Sequence, residues 1–302
     1  MRLMSNQLIC ILGPTASGKT KFAVRVAAQT DGEIISADSR QVYRGMDIGT
    51  GKDLSEYSIS ESPQNQIKKI PYHLIDIADA GTKYNIFEYQ RDFHKTYNQI
   101  INKGKQPILC GGSGLYIEAA TMGYSLPEVP PDFALRAELE KESTVDLVKR
   151  LATMRQLHNT SDTESRKRLI RALEIAIYME KHSINVASYP PIDTRYIGML
   201  VSRDERIARI DKRLDERLKE GLIEEVKVLI ESGISPDDLI YYGLEYKYVT
   251  LYLTGQLSFE TMRDRLAVAI HQFAKRQMTW FRGMERRGIF IEWVSPDSEI
   301  VL

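Results

Sequence analysis

The stretch from Leu8 to Thr20 constrains this chain more than any other. An apolar run, Leu8-Ile9-Cys10-Ile11-Leu12, leads directly into Gly13-Pro-Thr-Ala-Ser-Gly-Lys-Thr20, and the apolar spacing Phe22, Ala23, Val26, Ala27 follows. Strand, glycine-bracketed turn and helix in that order build a phosphate-binding loop. Gly13 and Gly18 let the backbone turn tightly, so that the amides of Thr15, Ala16, Ser17 and Gly18 can point at one anion. The helix that starts near Lys19 adds the positive end of its dipole. Lys19 supplies a point charge for outer phosphate oxygens, and the Thr20 hydroxyl is placed to ligate Mg²⁺. The bound group is therefore a diphosphate or a triphosphate.

Further strand-like runs lie at 33–36, 72–77 and 107–110, with helical periodicity between them, clearest over 86–103. Short apolar runs alternating with helices predict a parallel, doubly wound sheet. After Gly111-Gly-Ser-Gly114 the character changes. A proline-rich connector over 124–133 precedes charged helical segments at about 134–157 and 161–182. A second connector holds Pro190 and Pro191. A returning strand (196–201), long helices at about 204–231 and 258–282, and a last strand at 289–293 complete the chain. The fold class expected is α/β: a P-loop NTPase-like parallel sheet core, 1–122 and 193–302, with an all-helical insertion domain at 123–192. The polar stretch 54–69 reads as a mobile surface loop.

The 302 residues suit one large domain or two small ones, and 41 basic residues balance 41 acidic ones, so no global field steers the protein toward nucleic acid. A local patch can still do so. Cys10 and Cys110, the two cysteines, read as small buried hydrophobes. No signal-peptide pattern and no run of membrane-spanning length is present, which suits the cytoplasm.

Five constellations carry chemistry. Asp38-Ser39-Arg40-Gln41 follows the second strand, on the sheet edge where ligands of parallel sheets sit. Asp38 there suits a general base or a holder of metal-bound water; capping the next turn is the plainer role. Asp76 ends another strand and could serve as a Walker-B-like carboxylate for Mg²⁺, or as a simple turn residue. Gly111-Gly-Ser113-Gly permits close backbone approach and offers a hydroxyl. Arg166-Lys-Arg168 with Arg171 forms a basic cluster on an insertion helix, suited to RNA phosphates, to clamping a transferring phosphoryl group, or merely to solvation. Arg209, Arg213 and Arg217 repeat every four residues, which explains intrahelical ion pairs and would also let two of them reach one diphosphate.

Taken together, the motifs resemble the tRNA dimethylallyltransferase (tRNA isopentenyltransferase) family. Gly13–Thr20 is followed by Ser36-Ala-Asp-Ser-Arg-Gln-Val-Tyr-Arg-Gly-Met-Asp-Ile-Gly-Thr50, Tyr72-His-Leu-Ile-Asp76, Gly111-Gly-Ser-Gly-Leu-Tyr116, Arg168-Leu-Ile-Arg-Ala-Leu-Glu174 and Ala274-Lys-Arg-Gln-Met-Thr-Trp-Phe-Arg282, in family order. The resemblance implies transfer of a dimethylallyl group from dimethylallyl diphosphate to N6 of the adenosine 3′ of the anticodon. The phosphate loop and Arg213 would then bind the donor's diphosphate with Mg²⁺, and Asp38 would accept the N6 proton. Asp38, Ser39, Arg40, Gln41, Ser113, Arg136, Arg166, Arg168 and Arg171 would face the tRNA anticodon stem-loop, in a monomeric enzyme without a membrane partner. Ser113 stands where the family usually has threonine.

The pattern also departs in places. The family's common Gly-Thr-Ala-Lys-Pro is Gly49-Thr-Gly-Lys-Asp53 here. Its Tyr-Ser-Ala-Ala-Asp-Phe is Tyr84-Asn-Ile-Phe-Glu-Tyr89, and its Ile-His-Pro-Asn-Asp is Leu157-His-Asn-Thr-Ser-Asp162. Where the family's second tRNA-binding region often ends in Gly-Tyr-Arg/Lys-Gln, this chain reads Tyr242-Gly-Leu-Glu-Tyr246. These changes cluster in substrate-facing segments. Three other readings therefore stand beside the first: an adenine-nucleotide isopentenyltransferase of the same fold, a P-loop small-molecule kinase, and a non-catalytic RNA-binding relative.

Overall fold

The computed structural model describes residues 7–61, 66–154, 165–182 and 188–299. They form two compact units, one built from 1–123 and 190–302, the other from 124–189.

The strands of the larger unit are β1 (Leu8–Leu12), β2 (Gly32–Ala37), β3 (Ser58–Glu61), β4 (Gln66–Lys69), β5 (Tyr72–His73), β6 (Gln106–Gly111), β7 (Thr194–Met199) and β8 (Ile291–Val294). Six of them make one sheet in the order β5-β2-β6-β1-β7-β8, every pairing parallel. In register, Leu12 lies beside Gly111 and Gly198, and Ala37 beside Gly111. The carboxyl ends of β1, β2, β6 and β7 thus line one edge, and every turn singled out above emerges there.

Side-chain alternation divides the core. Leu8, Cys10 and Leu12 enter one apolar cluster, while Ile9 and Ile11 enter the other on the opposite face. Each fully buried Leu or Ile contributes about 1.5–3 kcal/mol. Helix α1 (Lys19–Thr30) covers the second cluster with Phe22, Ala23, Val26 and Ala27. Helices α2 (Ile86–Asn102) and α3 (Gly114–Thr121) contribute Tyr89, Phe93 and Ile117 to the first.

In the smaller unit, α4 (Phe133–Leu139), α5 (Thr144–Met154) and α6 (Arg166–Lys181) bury Leu139, Leu147, Leu151, Leu169 and Leu173 among themselves. Part of the helices expected at 134–157 and 161–182 lies outside the described residues.

The larger unit closes with α7 (Arg203–Glu220), α8 (Leu222–Glu231), α9 (Pro236–Tyr241), α10 (Leu244–Leu253) and α11 (Phe259–Arg286). One helix over 204–231 is expected from periodicity, but Gly221 at φ +107° breaks it in two. The strand expected over 72–77 stops at His73, because Leu74 and Asp76 take left-handed backbone conformations, at φ +60° and +55°, that no ladder accommodates. The expected loop at 54–69 instead holds a 3₁₀ turn, Leu54–Tyr57, and the antiparallel pair β3–β4.

Candidate active site

The turn after β1 wraps around the start of α1. Ala16 and Gly18 both adopt positive φ, at 59° and 81°, which aims the following amides inward. No side chain caps α1. By contrast Asn85 closes α2 with a full capping box, and Ser202 and Ser258 cap α7 and α11. The first-turn amides of α1 are left for an anion. One amide of the preceding loop is already used: Thr15 N–H donates to Gln277 Oε1 at 2.9 Å, while Gln277 Nε2 donates to the Gly112 carbonyl at 2.9 Å. Gln277, on α11, therefore ties the turn after β1 to the turn after β6. Although Thr15 is expected to contact diphosphate, its N–H serves this tie.

A cleft of about 950 Å³ opens over the loop, lined by Ala16 through Thr20, by Asp53 and Glu56, by the α7 side chains Arg209, Arg213 and Arg217, and by Pro296 and Asp297. A Cβ at Gly13 would collide with the buried Ser17 hydroxyl, which has no hydrogen-bond partner among the described residues. Desolvation lowers the Lys19 pKa and Arg213 adds to the shift, while Asp38 opposes it. Glu56 moves the other way, raised by burial and by neighbouring Asp53. Arg213 donates to Asp53 at 2.6 Å.

Beside the loop, the turns after β2 and β6 interlock. Ser39 N–H donates to Ser113 Oγ at 3.3 Å, and Ser113 N–H to the Ala37 carbonyl at 3.2 Å. Asp38 Oδ1 accepts the Arg40 amide at 2.8 Å, an Asx turn that fixes the carboxylate at the end of β2. The Arg40 guanidinium lies 5.1 Å from the Tyr241 ring centroid, and Gln41 Nε2 donates to the Gly51 carbonyl at 3.1 Å.

Two staples, neither evident from sequence, hold the following loop. The Lys52 ammonium is fully buried and reaches the Tyr43 carbonyl, Asp47 at 2.9 Å and Asp76. Glu225 accepts the amides of Asp47 (2.9 Å), Ile48 (2.7 Å) and Gly49 (3.0 Å), and the Tyr246 hydroxyl at 2.6 Å. Asp76, expected as a carboxylate for Mg²⁺, is thus placed on Lys52 and does not line the cleft. Among the described residues no three His, Cys, Asp or Glu side chains are grouped to hold a metal ion.

In the smaller unit, the arginines expected at the tRNA have internal partners. Glu174, buried in α6, accepts both Nε and Nη2 of Arg136 (2.9 and 2.8 Å), Arg171 Nη1, and the Asp132 amide at 2.6 Å. Arg171 also donates to the Val129 carbonyl at 2.8 Å. Burial alone would raise the Glu174 pKa, but bonds from Arg136 and Arg171 hold it below the usual carboxylate range. Arg166 caps the end of α4 through the Leu139 and Glu142 carbonyls (3.2 and 2.7 Å) and pairs with Glu140 at 2.7 Å. Arg168 is exposed.

The parallel sheet, the loop at the end of β1 and the cationic cleft above it define a phosphate-binding α/β protein of P-loop type. Comparison narrows this further. A family model described as IPP transferase matches residues 41–284, and one described as Isopentenyl transferase matches 6–60. A tRNA dimethylallyltransferase of Porphyromonas gingivalis is 56% identical over 287 residues, 95% of this chain and 93% of the relative. The solved tRNA isopentenylpyrophosphate transferase of Bacillus halodurans is similar at 33% identity with a TM-score of 0.68, covering 98% of this chain and 92% of that one. Its counterpart from Staphylococcus epidermidis gives 32% and 0.64, over 97% and 94%. The chain belongs to the IPP transferase family.

Proposed function

We propose that this chain transfers the dimethylallyl group from dimethylallyl diphosphate to N6 of the adenosine 3′ of the tRNA anticodon. The observation that carries the reading is the placement of Asp38, a backbone-anchored carboxylate, at the strand end beside a cationic phosphate cleft. One part suits a proton acceptor and the other a departing diphosphate.

The chemistry balances on these residues. The N6 lone pair forms a bond to C1 of the donor while the C1–O bond breaks, its electron pair leaving with diphosphate. The N6 proton passes to the Asp38 carboxylate, whose geometry the Arg40 amide has already fixed. Lys19, the first-turn amides of α1 and Arg213 stabilise the charge that grows on the leaving group. The residues present fit a magnesium ion: the Thr20 hydroxyl offers a hard oxygen beside the cleft, the donor type that Mg²⁺ prefers. When bound, Mg²⁺ would neutralise diphosphate charge.

Ser39, Arg40, Gln41 and Ser113 form the acceptor side, where an adenine drawn out of the anticodon stack would enter. In the smaller unit, Arg136, Arg166, Arg168 and Arg171 belong to the surface that meets the tRNA, with Arg168 exposed on α6. The enzyme acts as a monomer in the cytoplasm, where its RNA substrate resides. Among the described residues no helix is long and apolar enough to cross a membrane.

Incubation with Mg²⁺, isoprenoid-labelled dimethylallyl diphosphate and unmodified tRNA should yield N6-isopentenyladenosine on digestion. Label in AMP instead of tRNA, or ATP consumption with small acceptors and no label, would overturn the reading. Asp38→Ala should lower turnover about 10²- to 10⁴-fold while tRNA affinity stays near its original value. Equal loss of both would make Asp38 a binding residue only.

A further inference from the structure

Arg217 stands out among the groups around the cleft. It lies on α7 in the same stripe as Ile210 and Leu214, facing inward, so only 9% of it is exposed. Its Nη2 has no hydrogen-bond partner among the described residues. The nearest carboxylate oxygen, on Asp53, lies 3.9 Å away and is already bonded to Arg213 at 2.6 Å. A buried guanidinium with an unused N–H is costly, and native structures seldom keep one without a ligand to meet it. Arg217 also lines the cleft that contains Lys19 and the amides of α1.

Positions where the sequence leaves the family pattern meet at this side chain. Gly51 replaces the common alanine, and a Cβ there would collide with the Arg217 and Arg213 guanidinium groups. Asp53 replaces the common proline and anchors Arg213. Glu245, in the altered segment before Tyr246, supplies a countercharge: burial raises its pKa and Arg217 opposes the rise. For Arg217 itself, burial and then neighbouring Arg213 lower the pKa. Gly51, Asp53 and Glu245 thus make room for, and partly neutralise, two convergent arginines.

We infer that Arg217 is a second arginine ligand of the donor's diphosphate, its buried Nη2 held ready for a phosphate oxygen beside Arg213. The inference deepens the proposed function and rests on it for the identity of the donor. Its own content is narrower: the cleft binds a diphosphate through a residue pair one turn apart on α7.

The test uses the full-length protein with Mg²⁺. Inorganic pyrophosphate is titrated calorimetrically, and KM and kcat for dimethylallyl diphosphate are measured at saturating tRNA. Arg217→Met should weaken pyrophosphate binding and raise KM by about 10- to 100-fold, with a smaller change in kcat. Arg217→Lys should recover part of the loss, since charge returns without the fork of donors. Gly51→Ala should shift KM the same way by displacing both guanidinium groups, with no ionisable group altered. Unchanged pyrophosphate affinity and KM in Arg217→Met and Gly51→Ala, with only the melting temperature lowered, would overturn the inference and make Arg217 a packing residue. Wild-type protein that binds pyrophosphate through Arg217 but transfers no isoprenoid would overturn the proposed reaction and leave the inference standing. No uptake by wild type would overturn both.

Discussion

Each compact unit buries one charged group in an unusual way, and the two are opposites. In the smaller unit Glu174 is surrounded by donors: two arginines and a backbone amide share its two oxygens. In the larger unit Arg217 is surrounded by too few acceptors and leaves Nη2 unmatched. A saturated network is complete as it stands and serves the fold. An undersupplied one is complete only when something else arrives. The distinction cannot be made by counting arginines, since both units are rich in them; it depends on what each guanidinium already touches.

The sharpest way to test this contrast is at its functional pole. Lys19→Ala removes the lysine charge of the phosphate loop and should lower kcat/KM about a thousandfold, with little effect on a denaturation curve. A comparable loss of stability would mean that the cleft is structural after all. At the other pole, Glu174→Ala strands two arginines and should cost about 3–5 kcal/mol, seen as early unfolding of the smaller unit in urea. Its pyrophosphate affinity should be unaffected.

Acidification should weaken the larger unit through a buried histidine. Burial depresses the His94 pKa from 6.5 to about 4, so between those values the unfolded chain binds a proton that the folded chain does not. Stability is unaffected by this group above pH 6.5 and declines as the pH drops through that window, the loss reaching about 3 kcal/mol by pH 4. A stability profile over pH 7 to 4 should show the slope, and His94→Gln should flatten it. The smallest effect is the most telling. Arg217→Met should leave the ligand-free protein equally stable or about 1 kcal/mol more stable, because it removes an unmatched donor. Glu174 and Arg217 would then respond to mutation with opposite signs.

Most of the sheet was legible in sequence because its signals are local. β1 and the phosphate loop are contiguous, and Asp38 and Gly111–Gly114 each follow an apolar run that ends at the ligand edge. What stayed hidden was long-range. Nothing near Gln277 announces that it bridges Thr15 and Gly112, and nothing near Glu225 announces that it gathers three amides from another element. The same holds for Arg136 and Arg171: their basic residue types suggested RNA, whereas the partner that occupies them, Glu174, is one carboxylate among many until the helices pack. Gly221 was a readable signal for the end of α7, masked by apolar periodicity running through it.

The strand order has a consequence for the timing of synthesis. β1 pairs with β6 on one side and β7 on the other, and Leu8 meets Thr194 in register. Their separation in sequence is about 190 residues, so at the usual ribosomal rate of about 5–20 residues per second β1 waits on the order of 10 to 40 s for that neighbour. Through the same interval the phosphate loop lacks its far wall, because α7 is made after β7. The smaller unit, encoded without interruption, closes its own apolar cluster before the larger one can. A nascent chain stalled within that interval exposes a half-built sheet edge, and the cleft over the phosphate loop is among the last features to form.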